Sequence, residues 1–158
     1  MFRQIRRKEK QLDIDTVKSI LLQQRRGIIS VLGDNDYPYG VPINYYYDQQ
    51  ENKIYFHGSS KGHKAESISH NDKVCFTVLG NEITKDEAWA PYMQSVIIFG
   101  RCKLIDNKDD VIRLVRKFAS KYYPNKEMIE NEIRKAGNGV CMYVIEIEQM
   151  TGKQIQEK

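Results

Sequence analysis

Cysteine is scarce in this chain of 158 residues, and Cys75, Cys102 and Cys141 stand too far apart to form a CxxC metal or redox pair. Each lies in an apolar, strand-like run, where a reduced thiol behaves as a small buried hydrophobe. Long apolar runs are missing: Ser95–Phe99 and Val140–Ile147 fall far short of the roughly 20 residues that cross a bilayer. There is no repeat, low-complexity tract or proline-rich linker, and the four prolines, Pro38, Pro42, Pro91 and Pro124, are scattered. No GxSxG elbow supports a nucleophilic serine, which removes hydrolysis by a triad. His57, His63 and His70 are six and seven residues apart, so no two share a helix face as zinc-binding HExxH histidines do.

What is present points to one domain, spanning residues 1–158, since 41% apolar residues fill one core but hardly two. The formal charge of +4 comes from 25 basic against 21 acidic side chains. A basic arm, residues 1–10, with Arg3, Arg6, Arg7, Lys8 and Lys10, accounts for that excess by itself. Such an arm can grip phosphates. No interleaved aromatic pattern accompanies it, so a solvated segment is expected, with no nucleic-acid partner and no membrane. No apolar segment with a small-residue cleavage site follows the arm, which makes the cytoplasm the expected compartment.

Asp15 is the expected cap of a first helix running to about Arg26, with Val17, Ile20 and Leu21 on one face. From Gly27 the pattern becomes strand, turn, strand: Ile28–Leu32, Tyr37–Tyr47 and Lys53–His57, with turns rich in Gly, Asp and Asn between them. A short helix over 64–69 and strands at Lys73–Leu79 and Ser95–Ile105 follow. Asp109 or Asp110 opens a helix to Tyr122, Pro124 stops it, and a helical piece over 126–135 ends before Gly137 and Gly139. The Tyr122–Pro124 corner reads as core and helix stop. The last strand, Val140–Ile147, is apolar on both faces and therefore expected to be central. The expectation is an α+β, mainly β, six-stranded antiparallel barrel with flanking helices.

The segment His57–Lys64, reading HGSSKGHK, joins a strand to a helix. Its glycines allow close backbone approach, Ser59 and Ser60 offer hydroxyls, and Lys61 and Lys64 offer charge just where a helix N-terminus favours an anion. It is not a P-loop, and no GxGxxG follows a strand. Upstream, in YGVPINYY, Pro42 belongs at a strand edge and leaves neighbouring main-chain groups of Val41, Ile43 and Asn44 for a flat heterocycle. A phosphate turn and a heterocycle edge one hairpin apart suit a single ligand carrying both. Pyridoxal phosphate would also satisfy the turn, but its Schiff-base lysine has no obvious candidate.

The series YGVPINYYYD, KIYFHGSSKGHKAESISHNDKVCFTV, YMQSVIIFGRCKLI and IEIEQMTGK resembles the pyridoxamine 5′-phosphate oxidase-like FMN-binding family, and within it the nitroimidazole-resistance type. The similarity runs from about Gly27 to Lys153. It implies a split barrel and a homodimer with two FMN molecules in clefts between the subunits. By position, Pro42, Ile43, Asn44 and Tyr45 would line the flavin ring, while Ser59, Gly62, His63 and Lys64 would receive the phosphate and ribityl chain. Gln94, Ser95 and Val96 of the partner subunit would close the cleft, together with Trp89. His57 matches a histidine placed near the flavin and is the candidate proton donor; packing is its alternative role. Lys153 reads as an exposed tail lysine, with a reach to the neighbouring phosphate in the dimer as its alternative role. The implied activity is FMN-dependent reduction of small molecules, with NAD(P)H or another donor supplying electrons and nitro-aromatic compounds as acceptors. The alternative is a flavin- or haem-binding split barrel without turnover.

Overall fold

Alternation of apolar and polar residues governs most of the chain after Arg26, and it produces one antiparallel sheet. A computed structural model of the chain describes residues 1–136 and 139–157, so the expected stop at Gly137 lies outside the described residues. The strands are β1 (Arg26–Leu32), β2 (Pro38–Asn44), β3 (Tyr46–Asp48), β4 (Lys53–Gly58), β5 (Lys73–Leu79), β6 (Tyr92–Leu104) and β7 (Cys141–Gln156). Their order across the sheet is β2-β1-β5-β6-β7-β4-β3.

The first and last strands of that order are joined by a single residue, Tyr45, and this closes the sheet into a split barrel. The expected six strands are seven because the run Tyr37–Tyr47 breaks there. Tyr45 leaves the ladder and buries its ring completely, its hydroxyl donating to the Leu21 carbonyl at 2.9 Å. The backbone groups it withdraws from the sheet are taken by Tyr122: the Tyr45 N–H donates to the Tyr122 hydroxyl at 2.9 Å. That hydroxyl lies 2.5 Å from the Tyr45 carbonyl and 2.6 Å from the Arg25 carbonyl, and donates to this pair. A buried main-chain group without a partner costs about 1–3 kcal/mol. Tyr122→Phe is therefore expected to lower stability by about that amount, read as a shift of the urea midpoint without a change in slope.

Helix α1 (Ile14–Gln23) is capped by Asp13 rather than Asp15: Asp13 has extended backbone and accepts from the Thr16 N–H at 2.9 Å, whereas Asp15 already lies inside the first turn. Likewise α3 (Lys108–Ser120) is capped by Asn107, which accepts from the amides of Asp109 and Asp110. Between them α2 (His63–His70) follows β4, and α4 (Lys126–Ala136) follows α3. The barrel interior is filled by Ile29, Phe56, Phe76, Ile98, Tyr143 and Ile145, with Val17 and Leu21 of α1 and Ile68 of α2 closing it. A second apolar cluster lies outside the barrel, where Leu114 and Phe118 of α3 cover Tyr55, Met142 and Val144.

β7 is central and runs nine residues beyond the expected Ile147. Lys153 is consequently no tail residue: it is half-buried in β7 opposite Ser95 of β6, and bridges to Gln11. No helix among the described residues is long and apolar enough to cross a membrane.

Candidate functional site

The barrel is split between β2 and β4. Among the described residues β2 pairs only with β1, and β3 covers β4 only from Lys53 to Tyr55, so Phe56–Gly58 and the outer edge of β2 both lack a strand on their facing sides. The turn 59–62 and the first residues of α2 stand at this opening.

Several features of the turn suit an anion. Gly62 precedes α2 with φ of +97°, a left-handed conformation that disfavours any side chain, and it caps the helix without a side-chain bond. The first amides of α2 consequently have no side-chain acceptor from that position. The Ser59 carbonyl accepts from the Tyr143 hydroxyl at 2.7 Å and the Ser59 hydroxyl accepts from the Lys61 N–H at 3.0 Å, which fixes the bend. Lys64 is half-buried, and its ammonium lies 5.0 Å from the centre of the Phe56 ring. A Cβ added at Gly58 would lie 3.3 Å from that ammonium, so this glycine makes room for it. Burial pushes the Lys64 pKa below its ordinary value, and no anionic side chain among the described residues pairs with it.

His63 takes a different direction. Its ring stacks on Tyr39 of β2 at 4.1 Å, and Nε2 accepts from the Asp34 N–H at 3.2 Å. This contact fastens the turn to the start of β2, and Pro42 follows three residues, about 10 Å, further along that strand. Pro42 and Asn44 point outward and are exposed, while Ile43 turns in and is half-buried. Tyr45, the fourth expected ring contact, has its side chain in the core and its backbone groups bonded to Tyr122.

Gln94, Ser95 and Val96 lie in β6, three strands from β2 and roughly 14 Å away within one chain. Gln94 donates to the Gln154 side chain at 2.9 Å, Ser95 faces outward, and the Val96 side chain is fully buried. Trp89, 78% exposed, stands on the 80–91 loop beside Tyr92 and Gln156. His70 is exposed, with Nδ1 2.7 Å from the Glu66 carbonyl.

His57 projects from the outer face of β4, opposite to Phe56 and Gly58, and meets the edge of Phe118 at 5.0 Å. His57 is exposed at the end of β4, yet partial desolvation against α3 and, second, the nearby Lys64 ammonium lower its pKa below the ordinary histidine value, which favours the neutral ring at pH 7. Phe118, Tyr123 and Glu132, which surround it, were not legible as site residues in the sequence; the only signal was the apolar stripe Val111, Leu114, Val115 and Phe118, which reads as core.

The sequence matches the family described as pyridoxamine 5′-phosphate oxidase over residues 13–154. The chain belongs to this family. No curated protein sequence matches it. Among solved structures, a candidate 5-nitroimidazole antibiotic resistance protein of Bacteroides thetaiotaomicron is similar with a TM-score of 0.77 at 19% identity, over 92% of this chain and 87% of that one. An FAD-binding protein of Mesorhizobium loti gives 0.62 at 20%, over 92% and 97%. A flavocytochrome of Azotobacter vinelandii gives 0.72 at 20%, over 99% and 75%. At these identities the structures establish the split-barrel fold of this member of the pyridoxamine 5′-phosphate oxidase family.

Proposed function

We propose that this chain is a flavoprotein reductase that holds FMN noncovalently with its phosphate at the 59–64 turn and its ring along β2. The observation that carries the reading is Lys64: a half-buried cation without a counter-charge, in space left by Gly58 and beside a helix start without a side-chain cap. A dianionic phosphate supplies that counter-charge and accepts from the free amides of α2. His63, anchored on Tyr39, aligns the turn with the β2 edge, so a ligand extended from the phosphate runs toward Pro42 and Asn44. The residues present therefore fit the group. Bound flavin supplies hydride and electron transfer, and the protein's part is to orient it and to exclude water. The three unpaired cysteines suit a reducing compartment, in keeping with a cytoplasmic reductase using NAD(P)H.

The reading includes a homodimer. On the outer face of the sheet Ile28, Leu79, Ile97 and Phe99 are 42%, 53%, 39% and 40% exposed around Thr77, an apolar patch of the kind that marks an interface, with the Phe2 ring stacked on Phe99 at its edge. Pro42, Ile28, Thr77 and Ile97 form one row across four strands. A two-fold axis near β5 carries the partner's β6, with its Ser95 region, over this chain's Pro42 edge.

The test is direct. FMN added to the purified protein is retained and shows the flavin absorption bands; NADH without air then bleaches them, and a nitroimidazole restores them while being consumed. Retention without bleaching by any nicotinamide donor leaves a flavin-binding protein without turnover, the alternative reading. Colourless protein that takes up no FMN refutes both.

His57 serves acceptor reduction as a proton donor. His57→Ala is expected to retain FMN and to slow acceptor reduction about 100-fold, within the range of general acid catalysis. In the unsubstituted protein the rate should rise as pH falls, with a midpoint below the ordinary histidine value, and the variant should lose that limb. Loss of FMN in the variant would make His57 a cofactor contact instead.

A further inference from the structure

An open cleft of about 610 Å³ lies toward the Asn44 end of β2, where α1 runs into β1 and β5 runs into the 80–91 loop. Pro42 forms part of its wall, and its only charged members are Arg25 and Arg26. We propose that these two arginines bind an anionic group, a phosphate or carboxylate, carried by the molecule that exchanges electrons with the flavin. The assignment rests on the reductase reading for its role, whereas anion binding by the cleft itself needs no flavin.

Strand register brings this charge to the track of the ring. Arg26 is paired with Asn44 and Ile28 with Pro42, and residues opposite each other on antiparallel strands share a face, with Cβ atoms about 5 Å apart. All four are exposed on the outer face, so Arg26 flanks the edge along which the ring is proposed to lie. One phosphate cannot use both basic sites. Tyr39, on which His63 anchors the turn, and Asn44 are five residues apart on β2, roughly 17 Å. Lys64 serves the phosphate of the flavin itself, and the charge of Arg25 and Arg26 is left for a second anion.

That charge is uncompensated and held on an ordered backbone. No carboxylate lines the cleft, and the ion pairs among the described residues include neither arginine nor Glu82, the exposed acid next to Asn81. Lys121 adds a third cation: its ammonium donates to the Gln24 carbonyl, and burial, then the Arg25 charge, push its pKa down to about 8. The Tyr122 hydroxyl lies 2.6 Å from the Arg25 carbonyl, and its ring stands 4.9 Å from the Arg25 guanidinium. Two side chains just beyond α3 thus fix the backbone of Gln24 and Arg25, while the Gln24 side chain donates to Asn81 across the cleft at 2.8 Å. The arginines are therefore placed before a ligand arrives, and each offers a planar fork that suits an oxyanion.

The probes are 4-nitrobenzoate and inorganic pyrophosphate, titrated into flavin-free and FMN-loaded protein and followed by amide NMR shifts. Saturable shifts are expected at Gln24–Gly27 and Asn81 in both forms, weakening as salt is raised. The double variant Arg25→Gln, Arg26→Gln should weaken both probes there at least tenfold while FMN retention and the thermal midpoint stay unchanged. Asn81→Asp still accepts from Gln24 but sets a carboxylate in the cleft, so it should act in the same direction, and it decides if the double variant loses its fold. Anaerobic bleaching and reoxidation of the loaded protein read the source of the anion. If the donor carries it, the variant slows bleaching by NADH at least tenfold and spares bleaching by the uncharged 1-benzyl-1,4-dihydronicotinamide. If the acceptor carries it, the variant slows reoxidation by 4-nitrobenzoate and spares reoxidation by 4-nitrobenzyl alcohol. The assignment is overturned by the absence of shifts at these residues, by shifts that survive the substitutions, or by rates that change for no reactant or for charged and uncharged ones equally. Loss of FMN from the double variant also overturns it, by making the arginines cofactor contacts. Anion shifts in protein that never takes up FMN leave the cleft assignment standing and remove the flavoprotein reading; FMN uptake without them does the reverse.

Discussion

Lys64→Glu is expected to weaken FMN binding by about 100-fold or more, to the point where the purified protein loses its flavin on a desalting column. A charge-assisted hydrogen bond to phosphate contributes about 1.5–3 kcal/mol, and reversal of the charge adds repulsion in a half-buried setting, which together exceed the 2.7 kcal/mol that 100-fold requires. Lys64→Met separates the two effects: it keeps the alkyl stem over Phe56 and removes only the charge, so about a tenfold loss is expected. The fold should survive both. Burial already holds the Lys64 pKa low in the flavin-free chain, so removing this cation from the empty turn costs no internal ion pair. Equilibrium dialysis against FMN, with riboflavin as a phosphate-free comparison, reads the effect. Equal retention by Lys64→Glu and the unsubstituted protein would place the phosphate elsewhere, and an equal loss of riboflavin would make the defect one of folding.

The strands and the turn were legible because local chemistry dictates them. Period-two alternation and Gly, Asp and Asn turns fix β1, β4, β5 and the body of β6 within a few residues, and HGSSKGHK marks a strand-to-helix junction by composition alone. The break at Tyr45 was not legible: YPYGVPINYYY is uniformly strand-like, and the corner exists only because Tyr122, 77 residues later, bonds the backbone groups that leave the ladder. Helix caps were displaced for a related reason. Asp13, Asp15, Asn107 and Asp109 are all good cap residues, and which of them acts depends on where the preceding backbone is extended, a choice that packing makes. Lys153 was misread as a tail residue because IEIEQMTGKQIQ is too polar to look like a strand. Gly152 holds it in place: any side chain there would enter Val17 and Leu12, so the strand can pass beneath α1. At the site, His63 and Lys64 are adjacent in sequence yet point to different partners, one to Tyr39 and the other to the space above Phe56, and spacing carries no information on that divergence. The surroundings of His57 depend on how α4 packs against α3, where Arg116 holds Glu130 at 2.7 Å, and no linear pattern predicts that packing.

Ile97→Glu is expected to convert the proposed dimer to a monomer at micromolar concentration and to lower flavin retention in parallel. Ile97 lies outward on β6 between Thr77 of β5 and Thr151 of β7, and in the single chain it is 39% exposed, so a glutamate there costs the isolated fold only its lower strand propensity, up to about 1 kcal/mol. In an isologous interface the substitution enters twice, placing two unpaired carboxylates on a face that Ile28, Leu79 and Phe99 share with Thr77 and Thr151. Leaving an uncompensated charge buried costs about 3–5 kcal/mol, enough to weaken association more than 100-fold. Sedimentation velocity reads the oligomeric state, and a circular dichroism melt confirms that the monomer is folded. The flavin result is the sharper part. With Lys64, Gly62 and the β2 edge untouched in the same chain, loss of FMN on dissociation means that the partner supplies contacts the monomer lacks, as expected if its Gln94–Val96 strand lies over Pro42. A folded monomer with undiminished FMN affinity would show that one chain suffices, and would remove β6 of the partner from the site.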